Sequence, residues 1–454
     1  MKRSTAAALT ALSCLCLCLL AGCSVVDFFS TDSLLRAPKL TGQNAALQRA
    51  FEQAAGPDAA LVAPLTGEYR SAFILRDCNG DGTEEAVVFY VNRGTENTVR
   101  MSLMTTIDGQ WRAVADIAGN GSEVYQVEFC NIDREKTPEI AVTWTVSDSK
   151  RDKTLSLYKI DLPGIENGDA FNPLASVQIF DYYVMDIDRD GQNELFYVYF
   201  DSTEEKSGVY ARLLKYSETD TVLYPVSEAR LDPRISNLLA TGYDFFNGHY
   251  EFFVDCAAGE NVCFTEIVQY EPEQYSLTAP LKLPEDDPVA LTRRQAQLFS
   301  GDINGDGLIE IPAEKTLADS FVVNMPDGED LPLRYICWQR YEDGAFTAEE
   351  NYYVSEAGQY RIRLDPFLEE LYMTCDYETG EAEFRCRGAA ETPATSAEAS
   401  PIRDEDLLFR IAVLTGGEGR SPSRSNGLRI TVGALGRERN LTKQYIESLI
   451  TGEG

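Results

Sequence analysis

One acidic loop recurs along this chain, and its recurrence limits the fold more than any other feature does. Three copies are complete: Asp77-Cys78-Asn79-Gly80-Asp81-Gly82-Thr83-Glu84-Glu85, Asp186-Ile187-Asp188-Arg189-Asp190-Gly191-Gln192-Asn193-Glu194 and Asp302-Ile303-Asn304-Gly305-Asp306-Gly307-Leu308-Ile309-Glu310. A fourth, Asn131-Ile132-Asp133-Arg134-Glu135-Lys136-Thr137-Pro138-Glu139, is eroded, with lysine in place of the glycine and proline inside the loop. The complete copies set side-chain oxygens at positions 1, 3, 5 and 9 around a turn with glycine at position 6. That is how a short loop wraps a hard cation such as Ca²⁺. For a single copy a plain Asx turn explains the composition equally well; three copies at a shared period favour the ion, as a structural brace.

The copies are evenly spaced. Asp77 to Asn131 is 54 residues, Asn131 to Asp186 is 55, and Asp186 to Asp302 is 116, twice 58. The midpoint of the long gap falls at Asp244, in a stretch ending at Glu251 where an acid, a glycine and a closing glutamate survive at altered offsets. This reads as a repeat that kept its fold and lost its metal. A fixed period in the fifties is the mark of a blade or solenoid array.

The flanks choose strands over helices. Ser71 to Leu75 precedes the first loop and Ala86 to Val91 follows it, while Leu195 to Phe200 follows the third, all short β-branched and aromatic runs. An EF-hand would need flanking helices and a glutamate at position 12, where this chain has Val88, Tyr197 and Ala313. Each repeat continues through two more strand-like runs joined by hairpin turns such as Asp108-Gly109 and Asp343-Gly344. Four strands per repeat make a propeller blade.

Over roughly residues 65 to 355 the loops and their period resemble the FG-GAP or VCBS family of calcium-binding β-propeller repeats. The resemblance implies calcium held by Asp77, Asn79, Asp81 and Glu85, by Asp186, Asp188, Asp190 and Glu194, and by Asp302, Asn304, Asp306 and Glu310, with a backbone carbonyl at position 7. About three structural calcium sites are therefore expected, and the 131–139 loop departs from the pattern.

Met1-Lys2-Arg3 and the apolar run from Ala6 to Leu20 form a signal peptide, too short to span a bilayer. It ends in Leu20-Ala21-Gly22-Cys23, a box similar to that of bacterial lipoproteins. The resemblance implies removal of residues 1–22 and a diacylglycerol on Cys23, which would anchor the chain to the bilayer on the extracytoplasmic face of the cell membrane. An ordinary secreted protein is the alternative. After that cleavage 38 Lys and Arg face 73 Asp and Glu, a net of −35, which excludes nucleic acid as a natural partner.

Of the seven remaining cysteines, Cys256 and Cys263 lie symmetrically about Gly259-Glu260, and Cys375 and Cys386 flank Thr379-Gly380. Outside the cytoplasm either pair is a candidate disulfide, subject to cross-strand geometry. No Cys-x-x-Cys or Cys/His array supports zinc.

Residues 23–64 read as a tether and a short amphipathic helix, Gln43 to Ala55, with Leu47 and Phe51 on the face that would pack on the first blade. After 355 the period breaks, and 356–454 reads as a small α+β domain of five strands and a closing helix, with a Pro/Ala/Ser/Thr/Glu-rich excursion at 388–404. The fold class expected is thus mainly β: a propeller of about five four-stranded blades, then the small domain. A sixth blade is the competing assignment for the last hundred residues.

The single histidine, His249, has no nucleophile signature near it. Paired carboxylates acting across a propeller funnel remain open, since some propellers hydrolyse glycosides that way. The sequence therefore leads to a non-enzymatic, lipid-anchored scaffold presenting a surface to an envelope protein or glycan. A cell-envelope glycoside hydrolase is the alternative.

Overall fold

In the computed structural model the described residues are 43–93, 98–135, 137–146, 149–167, 169–281, 291–295, 297–355, 359–386, 404–413 and 428–452. The expected signal peptide, the expected lipidation site Cys23, the expected tether and residues 388–403 lie outside them. The chain is mainly β, built as five sheets that follow one another in sequence order, the first four antiparallel and the fifth mixed.

The first sheet contains Phe73–Arg76, Glu85–Asn92, Arg100–Ile107 and Gln110–Ala118, with Ala59–Leu61 sharing the edge of the second of these strands. The second contains Glu123–Cys130, Glu139–Val146, Ser149–Tyr158 and Ala175–Ile179; the third, Asp181–Met185, Glu194–Asp201, Gly208–Ser217 and Val222–Arg230. The fourth contains Asn237–Phe246, His249–Ala257, Cys263–Glu271 and Ser276–Thr278. In the fifth, Ile311–Val323, Leu331–Glu342, Ala345–Ser355 and Tyr360–Arg363 pair in that order. In the first three sheets the acidic loop joins the first and second strands. The repeat around Asp244 keeps this architecture with a two-residue turn, Asn247-Gly248, both at positive φ, so a type I′ hairpin replaces the nine-residue loop.

The second strand of each of the first four sheets is buried on both faces, because the sheets pack face to face in series. Phe89 of the first sheet meets Trp144 of the second edge to face, with ring centroids 5.8 Å apart. A Cβ at Gly119 would lie 2.3 Å from that indole, so only glycine admits it there. Ile132 and Leu157 of the second sheet share a core with Tyr197 and Tyr210 of the third. Phe196 of the third stacks on Phe252 of the fourth at 3.7 Å, and Phe253 and Ile267 of the fourth meet Ile311 and Tyr341 of the fifth.

The series ends in two different covers. Helix α1, Gln43–Ala55, lays Leu47 and Phe51 on Ala86, Val88 and Tyr90 of the first sheet, as its apolar face predicts. The fifth sheet is covered by the C-terminal residues. Among the described residues no core cluster draws on both the first and the fifth sheet, and ring closure is not shown.

The C-terminal strands lie close to their expected places, at Leu371–Asp376, Ala382–Cys386, Leu407–Val413 and Leu428–Val432, and Lys443–Leu449 is helical behind a Thr442 cap. They nevertheless extend the fifth sheet to nine strands. Phe321–Val323 pairs in parallel with Thr374–Asp376, and Tyr360–Ile362 pairs with Ile450–Gly452. The boundary expected near 355 therefore runs through one continuous sheet.

The register also corrects the disulfide candidates. Ala257, not Cys256, stands opposite Cys263, so the two thiols point to opposite faces of the sheet. Cys375 pairs with Ala382 while Cys386 pairs with Leu371, at the far end of the same hairpin. All four cysteines are free and buried.

Candidate cation-binding loops and an adjoining cavity

The four loops share one internal scaffold. Each closing glutamate is at most 1 % exposed, and one of its oxygens accepts the backbone N–H of loop position 2: Cys78 to Glu85 at 2.9 Å, Ile132 to Glu139 at 2.8 Å, Ile187 to Glu194 at 2.9 Å and Ile303 to Glu310 at 3.0 Å. The position-1 acids accept from the position-6 glycine N–H, Gly82 to Asp77, Gly191 to Asp186 and Gly307 to Asp302, at 2.9 to 3.0 Å. Position 3 accepts from the N–H of position 5 in all four loops.

Backbone geometry explains the glycines. Position 6 is left-handed in every complete copy, with φ of 87° at Gly82, Gly191 and Gly307. Position 4 is left-handed as well, held by Gly80 and Gly305 but also by Arg134 and Arg189. The consensus did not reveal this second requirement, since arginine stands there in half of the copies.

Asp77 and Asp302 accept backbone N–H groups on both oxygens, whereas the closing glutamates engage one oxygen on the backbone and turn the other inward. A nitrogen sits among the inward groups in every loop. In the first, Asn79 Nδ2 donates to Asp81 Oδ2 at 3.1 Å and Glu85 Oε1 at 3.3 Å. In the fifth-sheet loop Asn304 Nδ2 does the same to Asp306 and Glu310, at 3.3 and 3.2 Å. In the third, Lys215 Nζ lies 2.6 Å from Asp188 Oδ2, 2.6 Å from Asp190 Oδ2 and 3.2 Å from Glu194 Oε1. In the second, Lys159 Nζ lies 2.5 Å from Asp133 and 2.7 Å from Glu135.

These contacts set the charges. Burial pushes the carboxyls of Glu85, Glu194 and Glu310 up, against the backbone N–H each accepts, and lifts Glu139 to about 7. Burial also works against the charge on Asp190, yet the hydrogen bonds from Lys215 and Arg134 hold it down at about 2. The N–H of Thr83 and the amide of Asn79 hold Asp81 below its usual range.

Calcium in the first and fifth-sheet loops would need the Asn79 or Asn304 amide rotated by half a turn, which exchanges a donor for an oxygen ligand and gives up the N–H of Asp81 or Asp306. There Asp77, Asn79, Asp81 and Glu85, or Asp302, Asn304, Asp306 and Glu310, would hold the ion and tie the first two strands of a sheet together. The third loop brings Asp186, Asp188 and Glu194 closest together, and Asp186 Oδ1 is buried without a hydrogen-bond partner, but the Lys215 ammonium already stands among those acids. In the degenerate repeat Asp244 faces Glu251 across the hairpin and accepts Ile309 N–H of the next loop at 2.8 Å. That acid now braces its neighbour.

Lys215 and Thr105 escaped the motif because they lie on the following strand, and Lys159 because it directly follows one. Their signal was a spacing: Thr105 and Lys159 come 20 residues after their closing glutamates and Lys215 comes 21.

The loops also touch one another. Arg134 pairs with Asp190 at 2.8 Å, and Asn193 Nδ2 donates to Asn131 O at 2.6 Å. Beside them a cavity of about 660 Å³ opens between the first strands of the first three sheets, lined by Tyr69, Phe129, Glu68, Gln126, Glu128, Asn193 and the position-1 residues Asp77 and Asn131, among others. Tyr69 and Phe129 meet edge to face at 5.1 Å, and the Arg76 guanidinium lies 4.7 Å over the Phe129 ring. Glu128 accepts the Tyr182 hydroxyl at 3.0 Å and the Gln126 amide.

No family model matches the chain, and no curated protein matches it. Among solved structures it is similar to a thermostable family-43 glycoside hydrolase at 11% identity and a TM-score of 0.28, covering 63% of this chain and 94% of that one. It is also similar to a family-43 β-1,3-galactosidase solved with galactodeoxynojirimycin, at 9% identity and a TM-score of 0.25, covering 63% and 96%. Both neighbours are named as glycoside hydrolases, against the expectation of a non-enzymatic chain. At such TM-scores they assign no residue of this chain a catalytic role.

Proposed function

We propose that this chain is an extracytoplasmic lipoprotein, anchored through Cys23, whose sheets are the blades of a calcium-braced β-propeller of the FG-GAP or VCBS type and whose loop-side cavity binds a glycan. The cavity between the first strands of the first three sheets carries the reading. The Tyr69 ring offers apolar surface to a sugar ring, while Glu68, Gln126, Glu128 and Asn193 supply the donors and acceptors that hydroxyl groups need. A volume of about 660 Å³ suits a short oligosaccharide. The adjoining Asp77 ties the cavity rim to the first cation loop.

Calorimetric titration of the mature chain with cell-envelope oligosaccharides tests this. Binding should weaken by about tenfold or more in Tyr69→Ala and Glu128→Gln; absence of heat with every envelope glycan would dispose of the reading. The anchor is tested separately, by loss of membrane retention in Cys23→Ala.

A glycoside hydrolase is the second reading, favoured by the carboxyls of Glu68, Asp77 and Glu128 on that one cavity, since paired carboxylates are what glycoside hydrolysis requires. It predicts new reducing ends from a bound glycan, lost in Glu128→Gln while binding persists.

A further inference from the structure

We infer that the second and third loops carry their cation within the chain, as the ammonium groups of Lys159 and Lys215, and that the residue facing the closing glutamate from the next strand decides whether a loop takes calcium. This rests on the calcium reading for the first and fifth-sheet loops.

The register makes the comparison direct. Ala86 pairs with Met104, Ile140 with Tyr158, Leu195 with Leu214 and Ile311 with Gln339, so the preceding glutamate faces Thr105, Lys159, Lys215 and Arg340 respectively. In the degenerate fourth repeat Glu251 pairs with Gln269, whose amide donates to it. The two lysines reach into their loops. Lys215 Nζ touches positions 3, 5 and 9 together, and Lys159 Nζ touches positions 3 and 5. Those inward oxygens are the ones a metal would use, and a divalent ion in the same nest would be pressed against an ammonium. Thr105 supplies only a hydroxyl, 3.1 Å from Glu85 Oε1, and Arg340 keeps its guanidinium 3.8 Å from Asp306 Oδ2.

Position 3 varies in step. It is aspartate where the facing residue is lysine, Asp133 and Asp188, and asparagine where it is not, Asn79 and Asn304. The extra negative charge therefore accompanies the extra positive one, as expected of an ion pair standing in for a metal. Asp186 Oδ1 and Glu194 Oε1 are the oxygens of the third nest that make no hydrogen bond, and Glu194 Oε1 lies 3.2 Å from the Lys215 ammonium. Shortening Lys215 to the residue found in the first sheet should then free Asp186, Asp188 and Glu194, which already lie together, to hold a metal; the third loop of the native chain should bind none.

The test uses the full mature chain, stripped of metal and titrated with CaCl₂ alone, with bound calcium counted by equilibrium dialysis and thermal melts taken in calcium and in EDTA. Lys215→Thr should raise the count by one, and its melt, lowered in EDTA, should recover in calcium. Thr105→Lys should lower the count by one. A lysine with a merely structural role would lower the melt of Lys215→Thr with no recovery in calcium and no change in count, which overturns the inference. Wild type binding no calcium while Lys215→Thr gains one ion would sustain the inference and remove the calcium reading of the other two loops. A wild-type count that falls in Asp188→Asn with Lys215 present would place the metal in the third loop and also overturn it.

Discussion

Glu310, with no exposed surface, accepts the backbone N–H of Ile303 at 3.0 Å. The bond spans seven residues, and the same span recurs at Glu85, Glu139 and Glu194. A buried carboxylate thus closes each loop whatever cation stands in it. Replacing Glu310 by alanine leaves that N–H unpaired, and urea denaturation should show a loss of about 1–3 kcal/mol. A loss indistinguishable from zero would show that the loop closes by other means.

Calcium should raise the Tm relative to EDTA, because a bound ion relieves anion repulsion in the first and fifth-sheet loops, where no lysine ammonium stands. Asp81→Ala should shrink the gap between the two melts. Asp190→Ala, whose carboxylate is paired with Lys215 and Arg134, should leave it unchanged. Coincident wild-type melts in calcium and EDTA would refute the calcium reading.

Arg294 has no exposed surface and holds Asp255 of the fourth sheet at 2.7 Å, while donating to the carbonyls of Leu298 and Pro312. It fixes the segment that leads into the last loop, where an isolated bridge between Gly301 and Glu310 replaces a full first strand. Arg294→Ala strands a buried carboxylate, and equilibrium unfolding should report a cost of about 3–5 kcal/mol. Arg294→Met with Asp255→Leu together should recover much of it; failure to recover would locate the cost in the lost carbonyl contacts.

Glu266 is buried in the fourth sheet, and burial, reinforced by the charge of Asp232, pushes its carboxyl up to about 8 from 4.5. Between those values the folded chain keeps a proton that the unfolded chain releases, so this group's contribution to stability is full below the unfolded value and fades as pH rises through about 8. Glu266→Gln should therefore raise the Tm more at pH 8.5 than at pH 5, by a few degrees. An equal shift at both would mean that the carboxyl is already ionised at neutral pH.

Much of this was legible in the chain. The period located the five sheets because one structural unit fills each repeat, including the one at Asp244 that lost its loop. The helix over Gln43–Ala55 followed from its apolar face, and the type I′ turns from the Asp-Gly pairs. Cysteine register was not legible: a single-residue slip turns a side chain to the other face, and the turn composition around Gly259 does not fix it. The continuous sheet across 355 was also hidden, since its parallel pairing joins strands some fifty residues apart and leaves no local trace.

The acidic loop alone determined that every unit but the fourth carries a nest of carboxylates, because Asp, Asn and Gly at those offsets fold the backbone around their own oxygens. Tertiary structure decided what stands in the nest. Thr105, Lys159, Lys215 and Arg340 reach or fail to reach it from the adjacent strand, and a cross-strand neighbour twenty or so residues away is set by sheet register, which only the paired strands supply.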